Sequence, residues 1–209
     1  ELTYSLPPAI TASTGLDALT QCIEPFVSNQ ANPITDGIAG AGIRAAARGL
    51  LRAYRNGNDS EARSDMAVAS LCGGMALANA KLGAVHGFAS VLGGMFPIPH
   101  GVVCARLLPY VVATNVAAVT ARSTESSYRA RYDYIAQLLT AEAKASAHDA
   151  VEWIQSLCTA LDIPPLSAFG VTPTHFGEIV AKSKQASSMK GNPVVLSDYE
   201  LHQILAAAL

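Results

Sequence analysis

The sequence predicts an all-α fold of about eight or nine helices, read from three observations. Apolar residues recur three and four apart over most of the chain, the spacing of a helix with one buried face. Helix start and stop signals recur between those stretches: Ser, Thr, Asn or Asp ahead of an apolar run, and Pro just inside or just beyond it. No stretch alternates apolar and polar residues over more than a few positions, and no period suggests repeats.

The elements follow in order. After the Pro7-Pro8 break, TASTGLDALTQCIEPFVS offers Ser13 or Thr14 as a cap, followed by Leu16, Leu19, Ile23 and Phe26 at helical spacing. ANPITDGIAGAGIRAAARGLLRAY opens with Asn32 as cap and Pro33 at the first helical position. NGND is a turn, and Ser60 is expected to cap the helix holding ARSDMAVASLCGGMALANAKL. Two short helices are expected next, one around His86 and one after His100, whose backbone Pro99 fixes. STESSYRARYDYIAQLLT and SAHDAVEWIQSLCTALDI are amphipathic, the second stopped by Pro164-Pro165. Thr172-Pro173 begins another helix, and SDYELHQILAAAL carries a capping box in Ser197 and Glu200. Nothing between them reads as a linker, so residues 1–209 are expected to form one domain.

Half of the residues are hydrophobic and 14% are charged, against about 25% in an ordinary domain. A surface so poor in charge implies a face covered by another domain or subunit. The net charge of −2 and scattered basic residues give no reason to expect nucleic acid. No uninterrupted apolar run approaches the roughly 18 to 20 residues of a membrane span, so no membrane partner is expected. ELTYSLPPAI has neither a basic n-region nor an h-region, which argues against a secretory signal. It also lacks an initiator Met, so the chain is expected to be a processed or truncated piece. Cys22, Cys72, Cys104 and Cys158 lie far apart without a C-x-x-C pair. They read as buried thiols in a reducing compartment, expected to be the cytoplasm.

Chemistry concentrates at a few positions. Asp17 and Gln21 are four apart, hence on one helix face, in an otherwise apolar segment. His86 and His100 bracket a glycine-rich stretch with no charged residue, GAVHGFASVLGGMFPIPHG. A carboxylate and two imidazoles suffice to hold a divalent transition metal, although spacing alone does not bring residues 17, 86 and 100 together. Core histidines and a helix-capping aspartate are the competing reading. Cys22 and Cys104 adjoin Asp17 and His100 in sequence, where a thiolate could replace a lost ligand, but buried inert cysteine is the commoner outcome. His148, His175 and His202 take no role, and neither do Lys190 and Asn192 in SSMKGNP.

TASTGLDALTQCIEPFVS, LGAVHGFASVLGGMFPIPHG and SSMKGNP resemble the C-terminal domain of the iron-containing (group III) alcohol dehydrogenases, in the right order along the whole chain. The resemblance implies a helical domain of the dehydroquinate synthase-like type that binds metal and substrate. It would be partnered by an N-terminal domain for NAD or NADP, and no G-x-G-x-x-G loop for such a domain occurs here. It implies hydride transfer between a small alcohol or aldehyde and the nicotinamide, and a homo-oligomer. The implied metal site is an Asp, a His four residues later and two further His, with iron favoured over zinc or nickel. Asp17, His86 and His100 match; Gln21 stands where the family usually has the fourth ligand, His, and is expected there either as a weaker amide ligand or as a hydrogen-bonding group at the domain interface. Ser90, four residues after His86, stands where many members carry another His that relays a proton. These departures leave room for a maleylacetate reductase-like or metal-independent reductase, or for a helical remnant without activity. The segment between the histidines is expected to fold as a compact turn that aims His100 back at His86.

Overall fold

The computed structural model describes residues 2–122 and 126–209. Among these it contains nine α-helices and three short 3-10 helices, and no strand. α1 (Pro8–Val27), α2 (Pro33–Arg55) and α3 (Ser60–Asn79) pack closely on one another. α4 (Ala84–Met95) is bent 98° from α3 at the intervening break. α5 (His100–Arg122) runs through the middle, touching α1 and α4 on one side. On its other sides lie α6 (Ser126–Thr140), α7 (Ala147–Ala160) and α9 (Asp198–Ala208). α8 (Phe176–Ser183) and the 3-10 turn Ser188–Gly191 close over α4. One continuous core joins them, with Leu16, Leu19, Ile43, Phe88, Leu107 and Ile135 all fully buried.

Local signals account for several of these boundaries. The Asn32 side chain accepts from the amides of Ile34 and Thr35, and Thr35 Oγ1 accepts from the Asn32 amide, with Pro33 opening α2. Ser197 and Glu200 close the expected box at α9. α6 bears out the helix expected over STESSYRARYDYIAQLLT from Ser126 onward; residues 123–125 lie outside the described ones.

Other boundaries differ from expectation. α1 begins at Pro8, so Ser13 and Thr14 lie inside the helix and their hydroxyls bond back to the Ile10 carbonyl. Proline at the first helical position supplies the start without a polar cap. Asp59, not Ser60, caps α3, its carboxylate accepting from the Ala62 amide. Thr172-Pro173 opens a 3-10 turn, Pro173–His175, which leads into α8. The helix after His100 is not short: α5 has 23 residues. Pro109 inside it cannot bond to the Ala105 carbonyl one turn back, and Cys158 Sγ donates to that oxygen instead, at 3.4 Å.

α5 is the described helix whose length and average composition come nearest a membrane span, although Arg106 and Asn115 interrupt its apolar residues. Its mean hydropathy of 1.7 over a spanning window meets the length and composition of a transmembrane helix, and 61% of that window is buried inside the fold. The apolar character serves a central core helix packed by neighbours on several sides.

Candidate metal centre

Four elements position the chemistry. α1 carries Asp17, Gln21 and Glu24 on successive turns, and α4 carries His86 in its first turn. α5 carries His100 at its first residue and Cys104 one turn on. The 3-10 turn Ser188–Gly191 delivers Asn192.

The start of α4 has no cap of its own, because residue 83 is glycine. Its orphan amides are met from afar: Ala84 N–H donates to Asn192 Oδ1 at 3.2 Å and Val85 N–H to Glu24 Oε1 at 2.7 Å. Gly83 permits this approach, since a Cβ there would stand 2.9 Å from Glu24 Oε1 and 3.1 Å from Asn192 Oδ1. The buried Glu24 carboxylate therefore sits at a helix N-terminus, where the dipole and the free N–H groups favour negative charge. Its other oxygen, Oε2, lies 2.7 Å from His86 Nδ1. One carboxylate thus starts the helix and orients the imidazole on its first turn, directing Nε2 at the cluster.

Asp17 Oδ1 lies 3.3 Å from His86 Nε2 and 3.9 Å from His100 Nε2. The two imidazole rings stand 5.5 Å apart, centre to centre. Phe96–Pro99 turns the chain back between α4 and α5, as expected, while Phe88, Ala89 and Leu92 of the apolar segment pack into the core beneath. Cys104 joins the group, with Sγ 3.8 Å from His86 Nε2 and 3.5 Å from His100 Nε2. One ligand atom from each of Asp17, His86, His100 and Cys104 lies within 4.8 Å of all the others. His86 is buried, whereas the His100 side chain is 53% exposed, so the cluster opens to solvent on the α5 side.

Electrostatics reinforce the grouping. Burial alone would lower the His86 pKa, but Asp17, Cys104 and Glu24 outweigh it and lift the value to about 12. Burial opposes the shift at Asp17 too, yet the neighbouring imidazoles hold its carboxyl below the usual range. Burial pushes the Cys104 thiol up to about 12. Despite these neighbours, Asp17 Oδ1 is buried and makes no hydrogen bond. A buried carboxylate oxygen without a partner is costly, and here it faces two imidazole nitrogens and a sulfur. That donor chemistry fits a divalent transition metal.

Gln21 is half-buried one turn beyond Asp17, with its side chain against α3. Its Oε1 is 3.4 Å from where a Cβ on Gly73 would stand. Cys22 points away, Sγ donating to the Ala69 carbonyl at 3.5 Å. Ser90 is exposed and its hydroxyl bonds only one turn back, to the Gly87 carbonyl at 3.1 Å. Two contributors have no signal in the sequence. Glu24 and Asn192 lie 61 and 108 residues from the amides they cap. Asn192 and Asn115 also pair amide to amide in the interior, so SSMKGNP holds the start of α4. Of the two readings open for Cys104, the structure favours the one that puts it beside the histidines, four residues after His100 on one helix face.

A helical fold with this candidate metal-ligand cluster between α1, α4 and α5 narrows the class of domain, and comparison supplies the family. Residues 11–209 match the model of the Fe-containing alcohol dehydrogenase family, C-terminal, and the chain belongs to that family. It is 40% identical to alcohol dehydrogenase 4 of Schizosaccharomyces pombe, over all of this chain and 48% of that one. It is 37% identical to a 1,3-propanediol dehydrogenase of Klebsiella pneumoniae, over 97% of this chain and 51% of that one. The crystal structure of a 1,3-propanediol oxidoreductase superposes with a TM-score of 0.90 at 35% identity, over 99% of this chain and 53% of that one. The chain thus spans about half the length of the relatives it matches.

Proposed function

We propose that this chain is the metal- and substrate-binding half of an NAD(P)-dependent alcohol dehydrogenase. The observation that carries the reading is the convergence of Asp17, His86, His100 and Cys104, whose ligand atoms lie within 4.8 Å of one another around a buried Asp17 Oδ1 that has no well-formed hydrogen bond. Asp17, His86 and His100 would hold a divalent metal, with Gln21 and Cys104 as the candidates for a fourth donor. Such a metal, iron, zinc or nickel, supplies Lewis-acid polarisation of an alcohol or aldehyde oxygen. The chain's own residues set up that chemistry. Asp17 contributes negative charge at the centre. Glu24 would keep a proton on His86 Nδ1, so that a bound metal displaces the Nε2 proton and takes that lone pair. The apolar floor of α4 limits water beneath the site, and the exposed edge at His100 leaves an approach for substrate.

The reaction is reversible removal of a hydride from the alcohol carbon to NAD or NADP, with loss of the hydroxyl proton. In this reading the nicotinamide is held by the part of the relatives that this chain does not span, and the complete enzyme works in the cytoplasm as a homo-oligomer. The named activities of the relatives, toward alcohols and 1,3-propanediol, support small alcohols and aldehydes as substrates.

The test is elemental analysis of the purified protein beside Asp17→Ala. About one equivalent of a divalent metal, lost in the variant, is the expected result. An empty site in the parent protein after anaerobic reloading would exclude metal-assisted chemistry.

A further inference from the structure

We infer that Cys104 is the fourth donor of the metal site, in place of the histidine that Gln21 replaces, and that its thiolate turns the site toward zinc. The inference rests on the proposed metal reading and adds to it the ligand that defines metal choice.

The distances carry it. With bonds of roughly 2.0–2.1 Å to nitrogen, 2.0–2.2 Å to a carboxylate oxygen and 2.3 Å to sulfur, tetrahedral donors stand about 3.3–3.6 Å apart. The separations in the fold are 3.3 Å and 3.9 Å from Asp17 Oδ1 to Nε2 of His86 and His100, and 3.8 Å and 3.5 Å from those same nitrogens to Cys104 Sγ. Four of the six donor–donor separations thus stand near the edge length of one coordination tetrahedron, and the other two lie within 4.8 Å. A thiol has a single proton and cannot serve both imidazoles as a donor, and Asp17 Oδ1 has only the 3.3 Å charged contact with His86 Nε2, with no well-formed hydrogen bond. A cation at the centre meets all four at once. Gln21, by contrast, offers a neutral amide oxygen and lies against Gly73 of α3.

Placement on the helix agrees. His100 and Cys104 are four apart on α5, so both project from one face toward α1 and α4. On coordination the S–H bond breaks, the Sγ–metal bond forms, and the proton leaves to solvent. The pair Asp17 carboxylate and Cys104 thiolate then balances the charge of a divalent ion. Thiolate is a soft donor that suits zinc, whereas carboxylate and imidazole alone also serve iron.

The test replaces the native ion with Co(II), whose thiolate complexes absorb in the near-ultraviolet. The metal-free parent chain, Cys104→Ser, Cys22→Ser and Gln21→Ala are titrated with Co(II) under anaerobic conditions, and zinc affinity is measured by chelator competition. Far-ultraviolet circular dichroism checks the fold of each. The parent should bind one Co(II) with a thiolate band. That band should vanish in Cys104→Ser and persist in Cys22→Ser and Gln21→Ala. Zinc affinity should fall in Cys104→Ser by at least the roughly tenfold typical of losing even an outer partner of a metal site. Co(II) binding by the parent without a thiolate band would overturn the role of Cys104 and leave the metal site standing. A band that survives in Cys104→Ser would overturn it too. No Co(II) binding by the parent would overturn the metal reading itself, and this inference with it.

Discussion

Glu24 uses both of its oxygens as acceptors, one from the Val85 amide and one facing His86 Nδ1. Glutamine at that position has one acceptor and one donor, so either the helix start or the histidine tautomer is lost. If the amide nitrogen faces Nδ1, that ring atom must accept and the ring proton moves to Nε2, the atom needed for a metal. Glu24→Gln is therefore expected to weaken metal affinity roughly 10–100-fold, while unfolding free energy falls by about 1–2 kcal/mol. Chelator competition and urea denaturation measure the two, and unchanged affinity would remove Glu24 from the orientation of His86. At this scale a carboxylate and lone histidines stand out in apolar segments, but it is the family resemblance that joins Asp17, His86 and His100 into one site, because their spacing does not. Glu24 was not legible in the sequence, since nothing local distinguishes a carboxylate that caps a helix 61 residues away from a solvated one.

The site exists because α5 crosses α1 at close range. A Cβ on Gly101 would stand 2.7 Å from the Ser13 carbonyl oxygen, and backbone cannot move aside as a side chain can. Gly101→Ala should push the first turn of α5 off α1, costing about 1–3 kcal/mol as overpacking does and displacing His100 from Asp17. Denaturant unfolding and metal titration of the variant check both effects, and parent-like values in both would show that the crossing tolerates a methyl group. The far end of α5 is tied by Arg122 to Glu200 of α9, at 2.9 Å. Burial pulls the Glu200 pKa upward, but the Ser197 backbone N–H, the Ser197 hydroxyl and Arg122 outweigh it and hold it below the ordinary value. A carboxyl lowered in the fold adds stability that is fully present above its unfolded pKa, about 4.3. That contribution is lost as pH falls through the lower folded value. The stability difference between the parent and Glu200→Gln, followed by urea unfolding, should therefore be largest near neutral pH and shrink below about pH 4. A difference that is flat with pH would detach Glu200 from this network. Elements with a polar cap next to proline or glutamate, such as Asn32-Pro33 and Ser197 to Glu200, were readable in advance. The start of α1 was misplaced because Ser13 and Thr14 look like caps, whereas their hydroxyls bond back within a helix that Pro8 had already opened.

At the scale of the whole molecule, a complete helical core coexists with an outer surface that is apolar in places. Val68, Leu71 and Met75 of α3 are exposed, as are Leu2 and Ile10, in a chain with 14% charged residues. The candidate ligand cluster is assembled entirely within these residues, from α1, α4 and α5. The described residues contain no strand, and the sequence contains no glycine-rich dinucleotide loop. Relatives of known name are about twice as long. Metal binding and hydride transfer should therefore separate physically. The 209 residues alone are expected to fold, to bind a divalent metal and to show no NAD(P)-dependent oxidation of small alcohols. A protein that joins them to the remaining half found in the relatives is expected to turn over. Absorbance of NAD(P)H in steady-state assays reads the activity, and elemental analysis of the same samples reads the metal. Turnover by the 209 residues alone would place a nicotinamide site on this helical fold and overturn the division of labour. Metal bound without turnover in the 209 residues, with turnover restored in the longer protein, would place the acceptor site in the other half and leave Asp17, His86 and His100 as the part that activates the alcohol.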